Sequence, residues 1–219
     1  MNAPSGSPDP QLLSYRSLRR AIGYIGIGLP FALALGEWLT QGSGIQESVS
    51  AYYYTDMRNL LVGSLCAIAV FLMTYRGFDN RDLVAGRLAC AFAIGVAFFP
   101  TTPPGSAVTL TGALHLTSAT LLFLTLAFFC WFLFTETDPR RRPTPQKLQR
   151  NKVYRACAIA IVVCIALVAV IKLSRLGTSL AYLSPVFWLE AAAILSFGAS
   201  WLIKGETLLK DAPVASGPA

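Results

Sequence analysis

Three ionisable side chains lie inside long apolar stretches of the sequence, where a charged group is costly to keep. They are Glu37, Glu190 and His115, and His115 is the only histidine in the chain. Ionisable residues in such segments mark functional sites by default, because they persist only with a partner or a role. A histidine near a carboxylate can act as an acid–base pair. His115, Glu190 and Glu37 are therefore the candidate catalytic residues.

A polar segment between the first two apolar stretches, residues 48–59, adds side chains that could bind a ligand. Ser48 or Ser50 could serve as a nucleophile, with His115 as the base and Glu190 as the acidic partner. We expect an outward-facing polar pocket with these lining residues: Glu37, Ser48, Ser50, Tyr54, Asp56, Arg58, His115 and Glu190.

Structural roles for the same residues stay open. His115 can hydrogen-bond a neighbouring helix, and Glu190 can form a structural pair with His115 or Arg58. Asp56 can cap the second helix, where a negative charge is favourable. Glu37 can lie solvated at headgroup level, and the tyrosine triplet at 52–54 is typical of an interfacial belt.

Metal and cofactor chemistry is not predicted. One histidine with two or three carboxylates supplies few zinc ligands. The cysteines show no CxxC spacing and all fall in apolar segments; they are Cys66, Cys90, Cys130, Cys157 and Cys164. No glycine-rich phosphate loop, nucleophile elbow or HExxH pattern occurs. We therefore expect no metal and no cofactor.

The composition indicates an integral membrane protein. Of 219 residues, 54% are hydrophobic and 13% are charged, and the mean hydropathy is +0.55. Soluble domains carry about 25% charged residues. The charges of this chain are clustered, which leaves long stretches that suit a lipid-facing surface better than a soluble core.

Six apolar segments predict an all-α, six-helix transmembrane bundle over residues 15–205, because about 20 residues cross a bilayer. The expected helices are 21–38, 60–75, 83–99, 109–134, 157–173 and 185–203. Pro30 is expected to kink the first helix, and Ser184 is expected to cap the sixth, ahead of Pro185. Residues 1–14 are expected to form a disordered N-terminal tail, which lacks the charged and apolar regions of a signal peptide, and residues 206–219 are expected to form a C-terminal tail.

The basic residues predict the orientation. Fifteen of the 18 Lys and Arg residues fall in the tails and in alternate loops. They are Arg16, Arg19, Arg20, Arg76, Arg81, Arg87, Arg140, Arg141, Arg142, Lys147, Arg150, Lys152, Arg155, Lys204 and Lys210. The opposite side holds Arg58, Lys172 and Arg175. The positive-inside rule then places both termini in the cytoplasm and makes nucleic-acid binding an unnecessary explanation of the net charge of +7. A multi-pass protein of a bacterial inner membrane is expected.

Three short elements carry a resemblance to a known class of membrane proteins. They are Ser48-Val49-Ser50 before the second helix, His115 in Leu114-His115-Leu116, and Glu190 in Trp188-Leu189-Glu190. With the basic N-terminal tail, they resemble the six-helix DRAM/FRAG/Sfk-type proteins over about residues 15–205. The resemblance implies a role related to lipid or membrane homeostasis, without an established reaction.

Three functions follow as hypotheses. The first is a membrane protein that binds a lipid or small amphiphile in the polar pocket. The second is an intramembrane lipid hydrolase or transferase that uses His115 and Glu190. The third is a small transporter or channel subunit, which needs a polar path through the other half of the bundle. Membrane lipids are the expected partners, and a homo-oligomer stays an open alternative.

Overall fold

The computed structural model describes residues 10–42, 44–77, 79–103, 105–137, 143–174 and 180–207. Within these ranges the chain forms six α-helices and no strands, which confirms the predicted all-α class. The helices are α1 (Pro10–Gln41), α2 (Arg58–Met73), α3 (Asn80–Phe98), α4 (Leu110–Phe128), α5 (Pro145–Leu173) and α6 (Pro185–Lys204). A π-helical turn, Phe129–Leu133, continues α4, and 3-10 turns occur at Ser50–Tyr54 and Ala181–Leu183.

Four helical segments are long and apolar enough to cross a membrane. They are Tyr15–Gln41, Leu110–Leu133, Pro145–Leu173 and Ala181–Lys204. Helix α2 is apolar but has only 16 residues. Helix α3 has 19 residues and carries three charged side chains, Arg81, Asp82 and Arg87, in its first half. The structure therefore supports a membrane-embedded protein with four clear candidate spans.

In two places polar residues continue a helix beyond its predicted membrane span. Helix α1 begins at Pro10, so residues 10–14 of the predicted tail are helical, and it continues through Pro30. Helix α5 begins at Pro145 rather than at residue 157, since Thr144 caps it by accepting a hydrogen bond from the Lys147 amide at 3.1 Å. Parts of the predicted tails and some of the loop cations lie outside the described residues. They are residues 1–9 and 208–219, together with Arg140–Arg142 and Arg175.

Ser184 occupies the predicted cap position of the last helix, but its side chain does not cap the helix. Ser184 precedes α6 but adopts a left-handed backbone (φ 45°), and its side chain makes no capping hydrogen bond. Its hydroxyl instead lies 3.4 Å from the carbonyl oxygen of Ile45. Pro185 still occupies the first turn of the helix, where a missing N–H is harmless.

The six helices form a closed ring. Each helix packs against its neighbours in the chain, and α6 closes the ring by packing on α1. Glycines make this last contact possible. A Cβ on Gly198 of α6 would lie 2.8 Å from Cγ1 of Ile27 and 2.9 Å from the carbonyl oxygen of Gly23 on α1. Small residues allow such close approach between membrane helices.

The bundle has two chemically different ends. One end, called here the basic end, holds the start of α1 and the end of α6, where Arg20 Nε donates to the carbonyl oxygen of Gly205 at 2.9 Å. At the opposite end, the loop between α1 and α2 meets the start of α6, where the amide of Phe187 donates to the carbonyl oxygen of Glu47 at 3.1 Å. The candidate residues of the sequence analysis lie at this opposite end.

Aromatic side chains fill the interior near the basic end. Tyr75, Phe129, Phe134 and Trp201 have exposed fractions of 2% or less. Their rings pack mostly edge to face, with the centroids of Tyr75 and Trp201 5.2 Å apart. This cluster occupies the centre of the ring of helices and leaves little room for a polar path there.

Candidate functional site

Ser50 and His115 form the centre of the polar site at the opposite end. Ser50 begins the 3-10 turn in the loop between α1 and α2, and His115 lies in the second turn of α4. The hydroxyl oxygen of Ser50 lies 3.0 Å from Nε2 of His115, while Nδ1 lies 2.8 Å from the carbonyl oxygen of Phe99. His115 is 6% exposed, so these two contacts satisfy a buried ring.

The Phe99 carbonyl determines which nitrogen of the His115 imidazole carries the proton. A carbonyl oxygen only accepts hydrogen bonds, so Nδ1 of His115 must hold a proton to bond it. In the neutral ring, Nε2 is then an acceptor, and the hydroxyl of Ser50 donates to it. The arrangement is that of a serine with an oriented base, in which a backbone carbonyl replaces the usual carboxylate.

Glu190 on α6 fixes the backbone of the same loop. One of its carboxylate oxygens accepts hydrogen bonds from the amides of Val49, at 2.8 Å, and Ser50, at 3.3 Å. Among the open structural alternatives, direct pairing of Glu190 with His115 or Arg58 is therefore not what the structure shows. Ser50 stands between them: its amide bonds Glu190 and its hydroxyl bonds His115.

The hydrolase hypothesis with Glu190 as the acid behind His115 is not supported by this geometry. The group behind the imidazole is the Phe99 carbonyl. Glu190 also accepts hydrogen bonds from the amides of Val49 and Ser50, so these two backbone donors are not free to bind an oxyanion.

An apolar cavity of about 80 Å³ opens beside these polar groups. Ser50 and Glu190 supply its polar end, and the remaining lining is almost wholly aliphatic or aromatic. The apolar lining includes Leu29, Leu61, Leu65, Ile68, Leu122, Leu126 and Phe197. A second cavity of about 50 Å³, between α4, α5 and α6, shares Ala119, Phe123 and Glu190 with the first. Glu190 therefore stands at the junction of two apolar spaces.

The remaining predicted residues gather in a different place. An open cleft of about 820 Å³ is lined by Glu37, Tyr54, Asp56 and Arg58, together with Gln41. It shares no lining residue with the first cavity. The predicted residues therefore do not form a single pocket. Ser50, His115 and Glu190 form a buried group of hydrogen-bonded side chains, called here the relay, and the others line an exposed cleft. The buried Ser48 belongs to neither set, since its hydroxyl accepts a hydrogen bond from the Ala51 amide at 3.0 Å and shapes the 3-10 turn.

The roles of the cleft residues differ in part from those considered for them. Asp56 does not cap α2: its carboxylate accepts a hydrogen bond from Gln41, and the cap position is Met57, without a side-chain bond. Arg58 places its guanidinium 4.2 Å from the centre of the Tyr53 ring and donates to its hydroxyl. Glu37 is only 4% exposed, so it is not simply solvated.

The tyrosines of the triplet at 52–54 also differ in their surroundings, since Tyr52 is buried and Tyr54 is exposed. Tyr52 is fully buried against Phe187, with ring centroids 6.1 Å apart, so it is not part of an interfacial belt. Burial raises the pKa of the Tyr52 phenol, which stays neutral at physiological pH. Tyr54 is half exposed, and its hydroxyl donates to the carbonyl oxygen of Thr101 in the loop before α4. The pKa of Tyr54 is raised as well, mainly by desolvation.

Sequence reasoning missed the backbone partners of the site. The Phe99 carbonyl and the Val49 amide belong to residues whose side chains carry no polar signal. Only the proximity of Ser48-Val49-Ser50 to His115 and Glu190 in space reveals them. In the part of the chain that the structure describes, no group of three or more His, Cys, Asp or Glu residues could hold a metal ion.

Comparisons with protein-family models, with curated proteins and with solved structures find no match to this chain. The resemblance to the DRAM/FRAG/Sfk-type proteins therefore stays a prediction from short motifs.

Proposed function

We propose that this chain is a six-span membrane protein that binds the apolar chain of a lipid or small amphiphile, with the polar end of the ligand at Ser50 and Glu190. The observation that carries the proposal is the apolar cavity with one polar end, formed by residues of α1, α2, α3, α4 and α6 and of the loop between α1 and α2. Ligand sites are typically apolar pockets with a few placed polar groups.

The distribution of charge supports an orientation with both termini in the cytoplasm. Described cations on α1, α3, α5 and α6 gather at the basic end, whereas Arg58 and Lys172 are at the opposite end. By the positive-inside rule the relay and its cavity then face outward. Helix α2, about 24 Å long, would cross a locally thinned bilayer or use Thr74 and Tyr75 to complete its span. A bacterial inner membrane fits this arrangement.

The aromatic cluster at the basic end argues against transport as the function. The first cavity ends near Leu126 and Phe197, and the Phe197 ring packs on Trp201, with centroids 6.0 Å apart. A solute that entered from the opposite end would meet this packed interior rather than a polar path.

The test uses a pair of matched substitutions on α4. Ala119 lines both cavities, whereas Ala113 is exposed on the same helix. Native mass spectrometry of detergent-purified protein should detect a co-purified lipid or amphiphile in the wild type and in Ala113→Phe. Ala119→Phe, which fills the cavities, should lose it. Retention of the same ligand by both variants, or no bound ligand in the wild type, would disprove the proposal.

A second candidate function is supported by the 3.0 Å contact between the Ser50 hydroxyl and His115 Nε2. An oriented serine beside an apolar cavity could attack the carbonyl carbon of a lipid ester and pass its proton to Nε2 of His115. The ester C–O bond would then break, the alcohol would leave with the proton from His115, and an acyl-serine would form. Water would hydrolyse the acyl-serine to a fatty acid and restore the Ser50 hydroxyl. A fluorophosphonate probe distinguishes the two functions. Labelling of the wild type that is abolished in Ser50→Ala and His115→Ala would favour the hydrolase, and an unlabelled wild type would leave lipid binding alone.

A further inference from the structure

At the basic end, Arg16 and Arg81 pair with described acidic residues, whereas Arg19 and Lys204 do not. Two clusters of ion pairs account for the acids near its surface. Arg16 bonds Glu206 at 3.1 Å. Arg81 bonds both Asp79 and Glu136 at 2.7 Å. These pairs lie at the rim, with partly exposed side chains, and they leave the cations of the interior to be explained separately.

Arg19 of α1 has no acidic partner among the residues that the structure describes. Its guanidinium stacks 4.3 Å from the centre of the Tyr15 ring and 5.5 Å from that of Tyr75. One terminal nitrogen donates to the carbonyl oxygen of Lys204 over a long 3.5 Å. The Nε atom is buried and has no hydrogen-bond partner among the described residues. A buried donor of a charged group without a partner is costly, and a guanidinium has five donors to satisfy.

Lys204, at the end of α6, lies beside it. Its ammonium is 5.1 Å from the centre of the Phe134 ring, and no described carboxylate bonds it. The nearby groups that act on it electrostatically are Arg19, Lys147, Arg150 and Asp82. Three of these groups are cations and one, Asp82, is a carboxylate. Neither Arg19 nor Lys204 bonds a described carboxylate, and like charges in a poorly hydrated site repel one another strongly, so this pair of cations requires compensation.

Capping of α6 does not explain Arg19. Cations near the end of a helix are favourable because the last carbonyl groups are negative. Arg20 performs that role with a 2.9 Å bond to the carbonyl of Gly205. The 3.5 Å contact of Arg19 is too long to count as a second strong cap, and it leaves Nε unsatisfied.

We propose that the basic end holds a phosphate-binding site formed by Arg19 and Lys204, with Lys147 and Arg150 adding positive charge. A guanidinium fork suits phosphate oxygens, and an ammonium adds a point charge. The anion is either the phosphodiester of an anionic phospholipid or a soluble phosphate, since both present the same oxygens. The site is at the end of the bundle remote from Ser50 and Glu190, so it does not depend on the function proposed for that end.

The experiment compares two double substitutions of equal charge. Arg19→Gln with Lys204→Gln removes the site. Arg87→Gln with Lys152→Gln removes two exposed cations from the same half of the protein. Inorganic phosphate is titrated into each detergent-purified protein and followed by ³¹P NMR line broadening. Each protein is also placed in nanodiscs of phosphatidylcholine with phosphatidylglycerol, and retained lipid is identified by native mass spectrometry.

We expect the wild type and the Arg87/Lys152 variant to behave alike, and the Arg19/Lys204 variant to lose most of the binding. Broadening of the phosphate resonance indicates a soluble anion, and selective retention of phosphatidylglycerol indicates a lipid headgroup; either result supports the site. The proposal is overturned if neither probe binds the wild type, or if both double variants bind as the wild type does.

A measurement on the wild type keeps the proposal testable if the Arg19/Lys204 variant does not fold. Pyrophosphate should displace bound phosphate or phosphatidylglycerol far more effectively than sodium chloride at the same ionic strength, because a specific site recognises phosphate oxygens. Equal displacement by chloride would show that only general screening of the basic end is involved, and it would exclude the site.

Discussion

The hydroxyl of Ser50 lies 3.0 Å from Nε2 of His115, and the amide of the same serine lies 3.3 Å from the Glu190 carboxylate. One loop residue thereby joins α4 to α6 at the end of the bundle opposite the basic end. The Phe99 carbonyl extends this connection to the end of α3.

His115→Ala is expected to destabilise the protein by about 1–3 kcal/mol, because it leaves the Ser50 hydroxyl and the Phe99 carbonyl without their partner in a buried place. Thermal unfolding in detergent measures the change. Thr117→Ala, at an exposed position on the same helix, is the control and should change stability little. Equal stability of His115→Ala and the wild type would show that the relay does not hold the bundle together.

Glu190→Leu is expected to release the loop before α2, since the amides of Val49 and Ser50 lose their acceptor. Glu190→Gln retains a carbonyl oxygen and should preserve much of the protection. Hydrogen exchange of a peptide that covers these two amides is the measurement. Slow exchange in Glu190→Leu, equal to that of the wild type, would contradict the assigned hydrogen bonds.

Gly198→Ala is expected to weaken the packing of α6 on α1 by about 1–3 kcal/mol, because the added Cβ would lie 2.8 Å from Ile27 and 2.9 Å from the Gly23 carbonyl. Gly28→Ala is the matched control on α1, since no atom lies within 4 Å of its added Cβ. That control should be neutral or stabilising, because alanine favours a helix. If Gly198→Ala were as stable as Gly28→Ala, the close approach of α6 to α1 at Gly198 would not contribute to stability.

Asp79→Ala is expected to lower the melting temperature at neutral pH, because Asp79 caps α3 and bonds Arg81. The hydrogen bond from the Arg81 side chain, the largest cause, holds the pKa of Asp79 below its usual range. A lowered pKa stabilises the folded protein above the unfolded pKa, and this contribution is lost as the pH falls through the folded pKa. The difference from the wild type should therefore shrink in strong acid.

The Asp79 prediction has a direct control. Asp79→Asn keeps a capping side chain but does not titrate, so its difference from the wild type should be smaller at neutral pH. The measurement is the melting temperature of the wild type, Asp79→Ala and Asp79→Asn over a range of pH. A deficit of Asp79→Ala that grows on acidification would show that the cap does not act through its charge.

The sequence by itself determined the helices and their order. Apolar runs of about span length and the clustering of Lys and Arg are local properties, and the observed α2, α3 and α6 begin and end within three residues of the predicted bounds. Where polar residues continue a helix, as before residue 157 in α5, hydropathy did not show it, because capping and backbone hydrogen bonds do not depend on apolar side chains.

Tertiary structure alone decided how the candidate residues meet. Glu37, Asp56 and Arg58 are close in sequence to Ser50, yet they line a separate cleft, while Glu190, distant in sequence, bonds the Ser50 amide. The rotation of each helix about its axis and the path of the loop set these contacts. The partners that complete the relay, the Phe99 carbonyl and the Val49 amide, are backbone groups, which every residue possesses and which no side-chain pattern can distinguish.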